Sequence, residues 1–285
     1  MKEISIMQGY KESKRITKKF AKTFYFASKF LSKEKRNASY SIYAICRISD
    51  DSVDNLSSVQ RHNLYNIKKD IDLAYTNQEI NNPLLLAFRE TTTKYQIPKD
   101  YFDELIKGME MDLVKNRYET FEELYQYCYR VAGIVGLIML KILGYNNKEA
   151  ENYAIQLGVA MQLTNILRDI KEDYQRNRIY LPLKDLAEFN VTEGQIKDCH
   201  IDFNFINLMN FQIKRARKYY ENASLGIEMI PDSNSRLVIL LMKEMYSAIL
   251  DSIIQNGYNV LKVRTYVPLY KKIIILITTL VKVKY

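Results

Sequence analysis

The sequence predicts an all-α protein, and three observations lead to that prediction. The chain has 285 residues but only nine glycines and five prolines, so few residues interrupt helices. Apolar residues recur at helical spacing, whereas the alternation typical of strands is weak throughout. The chain is 47% apolar and 26% charged, as globular proteins are. We therefore expect a single helical domain over residues 1–285, with a central cavity or a tightly packed core.

The predicted helices follow one another with short connections. Their spans are 13–31, 36–55, 58–76, 80–95, 99–116, 119–145, 148–173, 203–228, 234–255 and 259–283. Gly133 and Gly136 interrupt the sixth span. The longer connection at 174–202 contains Pro182, and Asn190–Gln195 is predicted to be a loop that leads into a short helix.

Several common site types are excluded by composition. No two of the nine glycines form a G-x-G, which excludes a dinucleotide-binding loop and a Walker A loop. Cys46, Cys128 and Cys199 are far apart, which suggests a reducing compartment and no zinc site. The only histidines, His62 and His200, have no neighbours suited to nucleophilic catalysis. The sequence therefore offers no nucleotide loop, zinc finger or Ser-His-Asp arrangement.

The termini indicate location and partners. Charges break up the first 20 residues, so we expect no signal peptide. The longest apolar run, Ile273–Val281, is shorter than the roughly 20 residues that a membrane span needs, so we expect a cytoplasmic protein. The net charge is +9, and residues 261–285 contain basic but no acidic side chains. Such a tail suits nucleic acid, an anionic membrane, a phosphorylated ligand or plain solvent.

A first polar stripe lies on the second predicted helix. Tyr43, Arg47, Asp50 and Asp54 are spaced i, i+4, i+7 and i+11, so they share one face within an arc of about 60°. Asp51 falls off this face, and we expect it to lie behind the stripe or in solvent. The face that should pack on a core therefore carries charge.

A second polar stripe has nearly the same pattern. Gln162, Asn165, Asp169 and Asp173 are spaced i, i+3, i+7 and i+11, within an arc of about 80°. Arg168 accompanies this stripe as Arg47 does the first. Both stripes therefore place aspartates at +7 and +11, late in a helix.

Aspartates at these positions create an electrostatic conflict. The negative end of a helix dipole disfavours each carboxylate by about 0.3–1 kcal/mol, and like charges one turn apart add repulsion. A cation would remove the conflict, and oxygen ligands without His or Cys favour Mg²⁺, which substrate phosphates usually complete. The alternative is two solvated helix ends. We favour two facing helices that hold a magnesium-bound polyphosphate.

With these residues the chain resembles the squalene/phytoene synthase family, the head-to-head prenyl synthases, over nearly its whole length. The first motif is DDSVD at 50–54, and the second is NILRDIKED at 165–173 followed by NRIYLP at 177–182. The third is YCYRVAGIVG at 127–136. Three motifs in this order are far more specific than a single DDxxD. The second motif is not the Asn/Ser/Glu type of terpene cyclases, which argues against that relative.

The resemblance implies an isoprenoid-synthase-type helical bundle around a central apolar cavity, with two or three Mg²⁺ ions. It implies metal binding by Asp50, Asp54, Asn165, Asp169 and Asp173. It implies substrate contacts by Phe20, Ala21, Lys22, Thr23, Tyr43, Arg47, Gln162, Arg168, Tyr246, Arg264 and Lys272. We expect the catalytic residues to be Asp50, Asp54, Tyr127, Arg168, Asp169 and Asp173.

The chemistry requires an apolar tunnel, because water would quench a carbocation. Phe24, Val131, Ala132, Val135 and Gly136 are candidate wall residues. The small residues Ala132 and Gly136 lie one turn apart, so a prenyl chain or a neighbouring helix could come close. Plain helix packing is the alternative for all five.

The resemblance implies an Mg²⁺-dependent condensation of two prenyl diphosphates. Our first expectation is that two farnesyl diphosphates give dehydrosqualene through presqualene diphosphate, for C30 carotenoid biosynthesis. The alternatives are phytoene synthase with geranylgeranyl diphosphate, and squalene synthase, which would need the NADPH that we do not expect. We also expect peripheral membrane contact, because substrates and product are lipids and the tail is basic. A basic nucleic-acid-binding protein is the rival outside enzymes, and it leaves both stripes unexplained.

Overall fold

The structure is a computed structural model. It describes the backbone at residues 2–54 and 60–284, and the side chains at residues 5–51 and 63–282. Within these ranges the protein is built from α-helices and contains no β-strand; two residues, Arg117 and Ile179, form an isolated bridge. The predicted all-α fold class is confirmed.

Fifteen α-helices occur in the described part of the chain. They are α1 (Lys2–Phe20), α2 (Lys22–Ala27), α3 (Lys33–Asp54), α4 (Gln60–Ala74), α5 (Pro83–Lys94), α6 (Lys99–Val114), α7 (Phe121–Cys128), α8 (Ile134–Leu143), α9 (Ala150–Arg168), α10 (Ile170–Gln175), α11 (Leu183–Glu188), α12 (Glu193–Lys197), α13 (Phe203–Ser224), α14 (Ser233–Gln255) and α15 (Leu269–Lys284). A π-helical turn, Tyr129–Gly133, joins α7 to α8.

Three boundaries differ from the predicted spans. Helix α1 begins at Lys2 and is separated from α2 at Ala21, where a single helix over 13–31 is predicted. Helix α9 ends at Arg168, and Asp169 leaves the helical conformation with φ −105° and ψ 16°. The predicted helix 259–283 begins instead at Leu269, after an irregular segment. In contrast, the predicted interruption near Gly133 is confirmed as the π-helical turn.

Side-chain caps explain where several helices begin. Asn82 accepts hydrogen bonds from the first turn of α5, and Pro83 follows it at the position where a missing N–H costs nothing. Thr192 and Gln195 form a reciprocal capping box at the start of α12. The prediction of a loop leading into a short helix at 190–195 is therefore confirmed.

Helix α9 lies at the centre of the fold. It packs against α8, α13 and α14, while α3 packs against α1, α4, α5 and α6. One apolar core contains side chains of α7, α9, α13 and α14. A second core joins α3, α4, α5, α6 and α8. The space between these two groups is the cavity described below.

The contact between α9 and the segment before α8 is unusually close. A Cβ atom on Gly158 would lie 2.2 Å from the carbonyl oxygen of Ala132, and one on Gly136 would lie 2.3 Å from that of Ala154. Only glycine fits at such distances. The sequence allows either a prenyl chain or a neighbouring helix to come close at Gly136. The structure places the neighbouring helix α9 there.

One helical stretch in the described residues, Phe121–Leu143, is long and apolar enough to cross a membrane. It has 23 residues and a mean hydropathy of 1.3, and half of it is buried. A core helix of a folded protein passes the same test, and this stretch contributes Leu124, Cys128 and Ile138 to the two cores.

Candidate active site

A cavity of about 400 Å³ lies between α3, α6, α8, α9 and α14. The C-terminal halves of α3 and α9 contribute Arg47, Asp50, Gln162 and Asn165 to its lining. Helix α8 and the N-terminal half of α9 contribute much of its apolar lining. The polar and ionisable side chains at the wall are Ser39, Tyr43, Arg47, Asp50, Asp112, Tyr127, Tyr153, Gln162, Asn165 and Tyr246. The cavity therefore joins a charged end to a long apolar channel.

The first stripe contributes Tyr43, Arg47 and Asp50 to this wall. Arg47 donates to Asp50 at 3.4 Å and also to Asp51, so Asp51 lies behind the stripe as expected. Burial raises the pKa of Tyr43 to about 12, so its phenol stays protonated. The side chain of Asp54, which ends α3, lies outside the described residues.

The Arg47 guanidinium has donor capacity to spare. Its carbon atom lies 4.8 Å from the centre of the Phe20 ring, in a cation–π arrangement. Its Nε atom is buried and makes no hydrogen bond within the described residues. An unsatisfied buried donor is costly, and a bound anion at the charged end of the cavity would satisfy it.

The second stripe divides between the cavity and the helix break. Gln162 and Asn165 line the cavity, and Asn165 donates to Gln162 at 3.4 Å. Asp169 follows the last residue of α9 and accepts two hydrogen bonds from Arg168, at 2.8 and 2.5 Å. Arg264 lies 3.2 Å from the same carboxylate. The break at Asp169 therefore turns this carboxylate toward two guanidinium groups.

The carboxyl group of Asp173 is strongly affected by burial. Burial raises its pKa to about 8, and the negative charges of Asp169 and Asp112 act in the same direction. Among the described side chains, no group of three or more His, Cys, Asp or Glu is arranged to hold a metal ion by itself. The oxygen-only donors nevertheless fit Mg²⁺, which is commonly held by one or two carboxylates and completed by phosphate and water.

A smaller pocket of about 140 Å³ adjoins the cavity. Thr23, Arg168, Arg264 and Lys272 line it. Tyr246 lies between the two spaces and lines both. Five of the predicted substrate-contact residues, Tyr246 included, are therefore grouped in this basic pocket.

The remaining predicted contacts lie around the α1–α2 break. Ala21 lines the large cavity, whereas Lys22 is exposed at the start of α2. Phe20 is 45% exposed and covers Arg47. The break thus brings this segment to the charged end of the cavity.

The apolar channel contains every wall residue expected from the sequence. Phe24, Val131, Ala132, Val135 and Gly136 all line it. Further apolar side chains come from α9 and α14, and they are Leu157, Met161, Ile239 and Met242. Together these residues give the cavity the water-poor interior that a carbocation requires.

Asp112 is a site residue that the sequence predictions did not include. The Tyr127 hydroxyl donates to it at 2.9 Å, and the Tyr180 hydroxyl donates at 2.8 Å. The two tyrosine rings stack with their centres 5.0 Å apart. Burial, and then the Asp112 charge, raise the pKa of Tyr127 well above its ordinary value. Asp112 thus fixes the Tyr127 phenol at the cavity wall.

A sequence signal for Asp112 does exist. Leu105, Met109 and Asp112 are spaced i, i+4 and i+7 on α6, and all three line the cavity. A carboxylate that continues an apolar helix face is the same kind of anomaly as the two stripes. It is a single residue, however, and only the folded chain brings it to Tyr127.

Known proteins resemble this chain over most of its length. The family model described as squalene/phytoene synthase matches residues 17–271. A phytoene synthase from Arthrospira platensis is 40% identical over 284 residues, which cover 94% of this chain and 91% of that protein. A 15-cis-phytoene synthase from Synechococcus elongatus is 37% identical over 283 residues, with the same two coverages of 94% and 91%.

A solved structure shows the same fold. The crystal structure of a dehydrosqualene synthase in complex with ligand superposes with a TM-score of 0.92 at 28% identity, and the match covers 100% of this chain and 99% of that one. The helical architecture, the charged end of the cavity and the family match agree with one another. The chain therefore belongs to the squalene/phytoene synthase family, whose members are prenyltransferase-type enzymes.

Proposed function

We propose that this protein joins two molecules of geranylgeranyl diphosphate head to head, the phytoene synthase reaction. The similarity to proteins named phytoene synthase carries the proposal, at 40% and 37% identity over 94% of the chain. This reverses the order of the two substrates expected from sequence, where farnesyl diphosphate and dehydrosqualene came first. Dehydrosqualene synthesis is the second candidate, favoured by the TM-score of 0.92.

The shape of the cavity supports a long prenyl substrate. On α9 its lining runs from Ala150 to Asn165, a distance of about 22 Å at the rise of an α-helix. Ile230 also lines the cavity and packs with Ala150 in one apolar cluster, so it lies at that end of the lining. A channel of this extent gives an extended C20 chain apolar contact along its length.

The charged end suits two diphosphate groups. Arg47 offers a buried Nε that has no hydrogen-bond partner among the described residues, and Arg168, Arg264 and Lys272 offer positive charge in the adjoining pocket. Guanidinium groups bind phosphate oxygens through paired donors. These residues would hold the diphosphates and stabilise the charge that develops as each one leaves.

The carboxylates and the amide have a complementary role. We propose that Asp50, Asp54, Asn165, Asp169 and Asp173 hold the two or three Mg²⁺ ions implied by the resemblance. When bound, Mg²⁺ neutralises negative charge on the departing diphosphate. Asp169 lies between α9 and α10, and Asp173 lies within α10. Both carboxylates are poorly solvated, so a bound cation would stabilise their charged forms.

The carbon–carbon bond formation would take place in the apolar channel. The C–O bond of one diphosphate breaks, and the double bond of the second substrate attacks the allylic cation with loss of a proton. The resulting cyclopropylcarbinyl diphosphate ionises in turn, rearranges and loses a second proton. Val131, Val135 and their neighbours exclude water during these steps. Asp112 and the Tyr127 phenol place negative charge and an oxygen dipole beside the cationic carbon atoms.

A product assay tests this function directly. Purified protein is incubated with Mg²⁺ and either geranylgeranyl or farnesyl diphosphate, and the hydrocarbon is identified by mass spectrometry. We expect phytoene from the C20 substrate and no reduced product when NADPH is added. Dehydrosqualene from the C15 substrate alone would favour the second candidate. No release of diphosphate from either substrate would contradict the enzyme assignment.

Other expectations from the sequence remain proposals. They are a single domain over residues 1–285, a cytoplasmic location with peripheral membrane contact, and no nucleic-acid partner. The lipid character of substrate and product supports the membrane contact, as does the basic charge of residues 261–285. Fractionation of cells at low and high salt tests it, and clean recovery in the soluble fraction at low salt would contradict it.

A further inference from the structure

Helix α15 is apolar on two opposite faces. Its inner face packs Ile275, Leu276 and Leu280 against a core that includes α14. Its outer face carries Ile274 and Ile277, which are 54% and 57% exposed. Within the described residues nothing covers this outer face. An exposed apolar patch of this kind commonly marks an interaction site, so the outer face calls for an additional partner.

The exposed apolar side chains form a continuous stripe. We define the outer stripe as Tyr270, Ile273, Ile274, Ile277 and Val281, each of which is at least 49% exposed. At 100° per residue they fall within an arc of about 100°, the width of an ordinary helix-packing face. The helix has 16 residues, fewer than the roughly 20 of a membrane span. The stripe is therefore suited to lying on a surface rather than crossing one.

Charge identifies the kind of surface. Lys271 and Lys282 lie beyond one edge of the stripe, where Lys271 donates to Gln255 and Lys282 is 3.8 Å from Glu244, both on α14. Residues 261–285 include no acidic side chain. Two copies of the chain paired through this stripe would bring lysine margins together, which like-charge repulsion disfavours. An anionic bilayer complements both features, because acyl chains accept the apolar side chains and the headgroups attract lysine.

The outer stripe also begins close in sequence to the basic pocket. Tyr266 is 75% exposed, and Tyr270, at the start of the stripe, is 60% exposed. Tyrosine rings favour the boundary between headgroups and acyl chains. Tyr266 and Lys272 line the basic pocket described above. The chain therefore connects the basic pocket to the stripe through Tyr266, four residues before Tyr270.

We propose that the outer stripe of α15 docks the protein onto an anionic lipid bilayer, with the helix parallel to the membrane plane. The docking rests on the exposed residues alone. Docking would let prenyl lipids pass between bilayer and cavity without crossing water. This second part rests on the proposed function. The two parts are separable, because vesicles without substrate test the docking by itself.

The test measures sedimentation of the full chain with lipid vesicles. One set contains phosphatidylcholine only, and the other contains phosphatidylcholine and phosphatidylglycerol in a three-to-one ratio. We expect binding to the anionic vesicles that weakens as salt rises. The variant Ile273→Glu with Ile277→Glu should bind them at least about tenfold more weakly. The matched control, Phe203→Glu with Leu225→Glu, has the same charge change at exposed apolar residues elsewhere and should lose far less.

Melting curves and activity on detergent-dispersed substrate check that the stripe variant is folded. Equal loss of vesicle binding in the stripe variant and the control would overturn the proposal, as would wild-type binding by the stripe variant. Failure of the wild-type protein to sediment with anionic vesicles would overturn it too. If the stripe variant instead converts a wild-type dimer into a monomer, the face belongs to a second copy and the proposal is wrong.

Discussion

The two aspartate regions have matching sequence spacing but different surroundings. On α3, Asp50 is 49% exposed and is paired with Arg47 within one unbroken helix. After α9, Asp169 is 16% exposed and is held by Arg168 and Arg264. The difference arises because α3 continues through its motif, whereas α9 ends one residue before Asp169. Equal spacing therefore does not imply equal solvation, and we expect the two regions to tolerate mutation differently.

The largest expected effect separates the two regions by activity and stability together. Asp169→Asn should reduce turnover by more than about a thousandfold and also destabilise the protein by roughly 1–3 kcal/mol, because the largely buried Arg168 loses its charged acceptor. Asp50→Asn should reduce turnover similarly but change stability by less than about 0.5 kcal/mol. Diphosphate release and chemical denaturation measure these two quantities. Equal losses of stability in the two variants would contradict the expected difference between the two regions.

A third carboxylate, Asp112, provides the next test. Tyr127→Phe should lower kcat about a hundredfold with little change in KM, because the phenol lies at the channel wall and away from the basic pocket. Asp112→Asn should have a smaller effect in the same direction, since an amide oxygen can still accept from one tyrosine. In the double variant the two losses should not add. Fully additive losses would mean that Asp112 does not act through Tyr127.

Substitution of the two arginines, Arg47 and Arg168, should also affect stability differently in the two regions. Arg47→Lys should raise KM about tenfold and leave the melting temperature unchanged. The buried Nε of Arg47 has no hydrogen-bond partner among the described residues, so its loss should weaken anion binding without breaking a contact within the protein. Arg168→Lys should lower the melting temperature as well, because it breaks the paired hydrogen bonds to Asp169. Steady-state kinetics and thermal melting distinguish the two. A melting temperature unchanged in both variants would contradict the difference in surroundings.

The last expected effect is a contribution of the second region to the pH dependence of stability. The pKa of Asp173 is raised to about 8 by burial and by its acidic neighbours, so the folded state binds a proton that the unfolded state releases near pH 4. The free energy of unfolding should therefore decrease as pH rises from about 4 to about 8. In Asp173→Asn this contribution should vanish. Melting in EDTA at several pH values measures it, and identical profiles for both proteins would refute it.

The sequence predicted the polar stripes well because they depend only on helical periodicity. Asp50 and Asn165 were expected to meet across a cavity, and both line it. The break at Asp169 was not predicted, since Ile170 continues an ordinary helical pattern and no glycine or proline marks the change. Asp169 pairs with Arg168 at this break, a contact that spacing alone does not reveal.

The Asp112 cluster was missed for a different reason. Its partners Tyr127 and Tyr180 lie 15 and 68 residues away in the chain, so only tertiary packing brings the three together. The exposed outer stripe was likewise invisible, because apolar periodicity on α15 does not say which face is covered. Local order was thus accessible from the sequence, whereas pairing between distant segments was not.

The π-helical turn at Tyr129–Gly133 has a consequence for how the channel wall is built. Tyr127, Val131, Val135 and Met139 all line the cavity at steps of four residues, and on a regular α-helix such steps drift by about 40° each. The wider turn absorbs much of that drift. Deleting one residue within it would restore a regular helix and rotate the Tyr127 hydroxyl by about 100° out of phase with the residues that follow. Chain length at this one turn, rather than any single side chain, aligns the phenol with the hydrocarbon-lined surface beyond it.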